Sequence, residues 1–228
     1  MNEENNSKGI ILVLVSMALF SFQDALIKFV FEKASLYEIY FGRTFIASVI
    51  LGAYLFFRKQ KIKFKTEYPF LTVIRVVLHF FAFSFFFISL TYMSLAMANA
   101  LFFSSPFFIS IFAKFFLNEQ IGIRRWSAIF LGFIGIYIVL NPDFSEFEYK
   151  NLLPVLCAFF YAISMTITKI TSDKDNLYTQ LFYFYTLAIG LCLIIFFFFG
   201  SGEFNKYDDP TMQFIFREWF SNTTYAWK

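Results

Sequence analysis

Charge is scarce in this chain of 228 residues: 15% are Asp, Glu, Lys or Arg, against 59% hydrophobic residues and a mean hydropathy of +0.63. That leaves too little polar surface to coat a water-soluble body of this size, so a soluble multi-domain protein is excluded. Histidine occurs once and cysteine twice, and both cysteines, Cys157 and Cys192, fall inside apolar runs. A disulfide framework and a metal-ligand cluster are therefore not expected, and neither is a cofactor. There is also no P-loop, no nucleophile elbow and no pair of acids at a spacing that shares a catalytic face, so a membrane-embedded enzyme, the main rival of another class, lacks support.

What the chain has is long apolar runs and aromatics, 24% of all residues with 39 Phe. Seven runs stand out: Gly9 to Phe31, Leu36 to Phe57, Pro69 to Tyr92, Ala96 to Phe116, Trp126 to Leu140, Leu152 to Ile170 and Tyr178 to Phe199. About 20 residues of helix cross the hydrocarbon, and backbone groups in lipid must be satisfied internally. With no period-2 alternation of the barrel kind, the expectation is an all-α polytopic membrane protein with about seven transmembrane helices, its partners being the lipid bilayer and a small-molecule solute. The Trp126 run is the shortest and would suit a thin span ended by Arg125 and Asn141. The first run follows a leader with Glu3, Glu4 and Lys8 and precedes no small-residue cleavage site, so it reads as a retained helix.

Lys and Arg collect on the cytoplasmic side of short loops. Arg58, Lys59, Lys61, Lys63 and Lys65 lie between the second and third runs and Arg124-Arg125 before the fifth, whereas the alternate loops hold little beyond Lys33 and Lys150. An inner (plasma) membrane protein with a cytoplasmic N-terminus is expected. The net charge of +3 is thus topology, and no nucleic-acid partner is expected.

Sliding the chain on itself lays Ser16–Lys28 over Cys157–Lys169 and Leu36-Tyr37 over Leu177-Tyr178, at one offset of 141 positions. Five runs fit inside that offset, and an odd number of crossings inverts the second copy, an arrangement typical of secondary transporters that alternate access around a central site. Lys28 then belongs near the outer face and Lys169 near the inner.

The stretch Leu95 to Trp126, followed by Gly132-Phe133-Ile134-Gly135, resembles the EamA repeat of the drug/metabolite transporter superfamily, as do Phe20 to Phe29, Gly42-Arg43 and Arg75. The resemblance implies two inverted five-helix repeats that move metabolites, amino acids, nucleotides or drugs across the inner membrane. On that pattern residues 1–8 are a cytoplasmic tail, 9–141 a first repeat of five helices and 150–200 two helices of a second repeat. Residues 201–228 form a divergent tail, interfacial or frayed, with Trp219, Phe220, Tyr225 and Trp227 suited to the headgroup region. Two repeats of 141 positions exceed 228 residues, so either a truncated, non-transporting remnant or interaction protein, or a half-size carrier completed as a homodimer, is expected.

Polar residues inside the runs mark the candidate solute or coupling-ion pathway, since each unpaired charge near mid-membrane costs about 2.5–3.5 kcal/mol. Asp24 and Arg43 lie at comparable depth on adjacent runs, and Lys28, one turn from Asp24, is a rival partner. An ionisable Asp24 suits ion coupling and Arg43 or Lys28 an anionic solute group; a structural ion pair with Lys28 snorkelling is the alternative. His79 falls near the middle of the third run and is either proton-sensitive or a hydrogen-bonded structural residue. Arg75, nearer the inner face, is expected to snorkel. Pro106 removes the bond back to Phe102, so a kink is expected, and Asn99, Ser104 and Ser105 either line the pathway or re-satisfy the backbone. The resemblance, in which Ser-Ser-Pro recurs here, implies a pathway or gating role. Glu119 and Arg124-Arg125 are expected to form a salt bridge at the inner end, and Gly132 and Gly135 to serve helix packing.

Overall fold

A computed structural model describes residues 3–30, 33–59, 65–140, 149–204 and 209–219. These form α1 (Glu3–Val30), α2 (Leu36–Arg58), α3 (Pro69–Ser89), α4 (Leu95–Phe102), α5 (Ser105–Phe116), α6 (Ile123–Leu140), a 3-10 turn at Tyr149–Leu152, α7 (Leu153–Thr171), α8 (Leu177–Phe199) and α9 (Pro210–Phe216). No strand occurs among the described residues. Five stretches among them are long and apolar enough to cross a membrane: α2, α3, α4 with α5, the 3-10 turn with α7, and α8. The first and fifth apolar runs lie on α1 and α6, and α6 begins at Ile123, ahead of the run itself.

The scarce prolines start helices. Pro69, Pro106, Pro154 and Pro210 each occupy a first-turn position, where the missing N–H has no intrahelical partner to lose. Polar caps open others: Asn176 Oδ1 accepts from the Thr179 N–H at 2.8 Å, and the Ser35 N–H donates to the Glu38 carboxylate at 3.4 Å. Left-handed residues close two, Lys59 (φ 51°) after α2 and Asn118 (φ 53°) after α5.

Helix boundaries recur 141 positions apart. Val30 and Thr171 end α1 and α7, Leu36 and Leu177 open α2 and α8, Arg58 and Phe199 end them, and Pro69 and Pro210 open α3 and α9. The α9 segment, expected to be interfacial or frayed, is docked: Phe214 and Trp219 are buried, Trp219 meets Phe41 and Phe196, and the Ser35 hydroxyl donates to the Ile215 carbonyl. The expected aromatic anchors beyond Trp219 lie outside the described residues.

The core runs along α3, which packs most extensively on α7, while α2 packs on α8 and α5 on α7. Small residues permit that closeness: Ala158, Ala162 and Ala188 are fully buried, and Ala82 nearly so. Phe80, Phe83, Phe86 and Phe87 fill the space between. The opposite population of aromatics faces outward, as Phe56, Phe57 and Phe197 do at 80–83% exposure, which suits a lipid solvent. Gly132 and Gly135 on α6 depart from the packing role expected of them, since a methyl group added at either would meet nothing within 4 Å.

Contacts between the connecting segments sort to two opposite ends. At one, Lys28 donates to the Leu90 carbonyl, Thr91 pairs with Thr211 at 2.9 Å, and the Lys150 ammonium lies 4.4 Å from the Tyr92 ring. At the other, Thr66 and the Glu67 N–H bind Asp175, Lys169 and Arg125 meet Glu119, and Lys174 lies over Tyr68. Lys28 and Lys169, one offset apart, are thus at opposite ends.

Candidate functional site

The turn at Lys33–Ser35 lies between the end of α1 and the start of α2, so positions equally far from it lie comparably far along the two helices. Asp24 is six residues before the end of α1 and Arg43 seven after the start of α2, which at 1.5 Å per residue puts both roughly 10 Å below that end. Phe83, six residues before the end of α3, reaches the same level, and the Arg43 guanidinium carbon lies 4.7 Å from its ring centre and 5.2 Å from that of Tyr40. Tyr40 is fully buried, edge-on to Phe80 and tilted against Phe83. Asp24 is half-buried and within electrostatic reach of Arg43, but no salt bridge joins them among the described residues. Lys28, the rival partner, caps the C-terminal carbonyl end of α3 through Leu90.

One turn deeper, His79 on α3 stands edge-on to Phe184 of α8 at 4.9 Å and tilted to Tyr161 of α7 at 6.1 Å. Tyr161 in turn meets Phe102 at 5.3 Å, which connects this region to the end of α4. Here His79 Nδ1 is buried without a hydrogen-bond partner, while the buried Tyr40 hydroxyl lies within reach of the Arg43 guanidinium. Burying an atom such as His79 Nδ1 unpaired is costly.

Arg75 does not snorkel. It is 4% exposed and donates to Gln180 twice, to the side-chain oxygen at 2.6 Å and to the carbonyl at 2.9 Å, while Ser164 of α7 donates to the Arg75 carbonyl. Gln180 also donates to the Asp175 carbonyl, and the buried Asp175 carboxylate takes Thr66 and the Glu67 N–H. A three-helix polar network therefore holds the entry of α3 against the α7–α8 turn. Sequence reasoning passed over Gln180, Asp175 and Tyr40; an amide inside the apolar Leu177–Phe199 stretch was the available signal for the first.

The break expected from Pro106 lies at Phe103–Ser104, between α4 and α5. The Ser104 hydroxyl donates to the Leu101 carbonyl at 2.7 Å and Ser110 to that of Pro106, neither of them the Phe102 carbonyl that Pro106 leaves without its helical N–H. Ser105 is buried and Asn99 half-buried, whereas Pro106 is exposed. These residues share α4–α5 and do not join the Arg43 level directly. At the far end the Glu119–Arg125 pair measures 3.8 Å, and Lys169 joins it. The hydrogen-bonded Lys169 ammonium holds the Glu119 carboxyl below the usual carboxylate range, with Arg125 adding to the effect.

Residues 7–141 match the model of the EamA-like transporter family, more than half of the chain. The chain is 33% identical over 175 residues to an S-adenosylmethionine uptake transporter of Rickettsia felis, covering 77% of this chain and 59% of that relative. It is 38% identical over 105 residues to a riboflavin transporter of Rhizobium johnstonii, covering 46% of this chain and 35% of the relative. A pseudopaline exporter of Pseudomonas aeruginosa is 24% identical over 181 residues, 79% of this chain and 63% of the exporter. No solved structure matches. The chain thus spans about three fifths of the length of the first of these relatives, and with its apolar helices it is a multi-pass membrane protein that belongs to the EamA-like transporter family.

Proposed function

We propose that this chain is a secondary carrier of small organic solutes, or a large part of one, working by alternating access in the cell inner membrane with its N-terminus cytoplasmic. The observation that carries the reading is the pair Asp24 and Arg43, opposite charges inside the bundle that no salt bridge joins, with His79 one turn below. Charges at that depth are costly unless a cavity, a solute or a partner meets them. The relatives are named for uptake of S-adenosylmethionine, transport of riboflavin and export of pseudopaline, so the solutes sought are organic metabolites. Seven spans are proposed, with residues 9–141 as one repeat and 150–200 as the first two helices of its inverted copy. The recurrence of helix boundaries at 141 positions and the placement of Lys28 and Lys169 at opposite ends support that division. The basic run on the connection from α2 to α3 supports the orientation.

The test is uptake of radiolabelled S-adenosylmethionine and riboflavin into vesicles containing the purified chain, run beside Asp24→Asn. Accumulation by the wild type and its loss in the variant is the expected result. Transport with unchanged pH dependence in Asp24→Asn removes the coupling role of that residue. Sizing the active species in detergent tells whether one copy or a homodimer forms the pathway.

A further inference from the structure

We propose that the exposed corner where α2 ends beside the start of α8 binds an anionic phospholipid, with Arg58, Tyr54 and Tyr178 holding its headgroup phosphate. The site lies apart from the Arg43 level and does not depend on the carrier reading. Three observations converge on it. First, the three side chains sit together across two helices. Arg58 is the last residue of α2 and Tyr54 lies one turn before it, with the guanidinium carbon 6.0 Å from the Tyr54 ring centre. Tyr178, at the start of α8, brings its ring centre within 6.2 Å of that of Tyr54, and the Tyr54 hydroxyl lies within hydrogen-bonding reach of both Tyr178 and Arg58. Second, the cation is not neutralised by an acid. Among the described residues neither Arg58 nor Lys59 forms a salt bridge, although Lys169 and Arg125 at the same end both meet Glu119. The sequence adds to that charge, since Arg58, Lys59, Lys61, Lys63 and Lys65 follow one another with no acid between them. Third, the surroundings of the cluster are apolar and uncovered: Phe57 and Leu177 are strongly exposed, as is Ile50 one turn below Tyr54.

These features select the ligand. A guanidinium presents parallel N–H donors that match two oxygens of one phosphate, and tyrosine hydroxyls beside it add neutral donors. Tyrosine is favoured at headgroup level, and a basic cluster directly after a membrane-spanning helix attracts anionic lipid. Positions 50, 54 and 57 share one face of α2, so a headgroup at Arg58 has an apolar track for its acyl chains along the same helix. A free phosphate would satisfy Arg58 and leave Ile50, Phe57 and Leu177 bare. A zwitterionic phospholipid would cover those residues but bring its own cation to a basic cluster. An anionic phospholipid meets the charge and the apolar surface together.

The experiment is native mass spectrometry of the full chain released from micelles that hold equal amounts of phosphatidylglycerol and phosphatidylethanolamine with identical acyl chains. The wild type is expected to carry phosphatidylglycerol at least about 5-fold in excess, the scale of one basic residue's attraction at a membrane surface. Arg58→Gln is expected to lower that ratio about 5-fold, whereas Arg124→Gln, which removes an exposed cation at the same end, leaves it unchanged. Tyr54→Phe combined with Tyr178→Phe keeps every charge and is expected to lower the ratio as well. Should Arg58→Gln fail to fold or insert, that double variant decides. Glycerol 1-phosphate at millimolar concentration is expected to leave the bound lipid in place. No preference for phosphatidylglycerol in the wild type, equal losses in Arg58→Gln and Arg124→Gln, an unchanged ratio in the tyrosine double variant, or displacement of the lipid by glycerol 1-phosphate overturns the proposal. Transport is not read in this experiment, so the carrier reading stands or falls separately.

Discussion

Gln180 is the acceptor on which a buried arginine depends, and the two substitutions that break the pair are unequal. Gln180→Leu leaves the Arg75 charge in the interior with its partner oxygen gone and is expected to cost about 3 kcal/mol, seen as a lowered midpoint of unfolding in detergent. Adding Arg75→Leu removes that stranded charge, so the double variant is expected to be more stable than Gln180→Leu alone. Glu119 gives a pH-dependent counterpart at the same end. Because Lys169 holds its carboxyl low, the cross-link is in force above the ordinary carboxylate range and is lost as pH falls through the lowered value. Hydrogen exchange in the 117–122 turn, corrected for its intrinsic pH dependence, is expected to rise on acidification in the wild type and to be high and pH-independent in Glu119→Gln. Individual residues were unevenly legible beforehand. Asp24, Arg43 and His79 announce themselves as polar groups in apolar runs, but which neighbour each meets depends on how α1, α3, α7 and α8 are rotated. That rotation hides the burial of Arg75, whose distance from the helix start is compatible with snorkelling.

The interruption between α4 and α5 is an element-scale feature that one residue controls. In Pro106→Ala a backbone N–H becomes available to the Phe102 carbonyl, joining two short helices into one of 22 residues, Leu95–Phe116. The variant is expected to unfold at a higher temperature and, where the break acts as a hinge, to transport more slowly; unchanged transport with raised stability would make the break a packing feature only. Helix extents were largely readable from apolar runs and prolines, because in lipid each backbone group must close its own bond. The docking of α9 was not, because its polar neighbours Arg217 and Glu218 mask the burial of Phe214 and Trp219. The glycines of α6 mislead for a related reason: small residues license close packing but do not supply the partner.

For the molecule as a whole, the two sets of end contacts make a topological prediction. Single cysteines at Asn118 and Lys174 are expected to react with an impermeant reagent from the cytoplasmic side, and those at Lys33 and Tyr149 from the opposite side. Cys157 and Cys192 are buried and free, so they need not be removed first. Reaction of all four from one side would refute the alternating course. The recurrence of helix boundaries has a consequence for biogenesis. On the proposed inverted topology, two hairpins of the same design, one turning at Lys33–Ser35 and the other at Lys174–Asn176, enter the bilayer in opposite senses, although both carry lysine at the turn. On that topology the first hairpin would insert against the charge of its own turn, with the basic run from Arg58 to Lys65 that follows α2 as the counterweight. During synthesis that run emerges only after both helices of the hairpin. The orientation of the first pair is then expected to be settled only once the chain has passed residue 65.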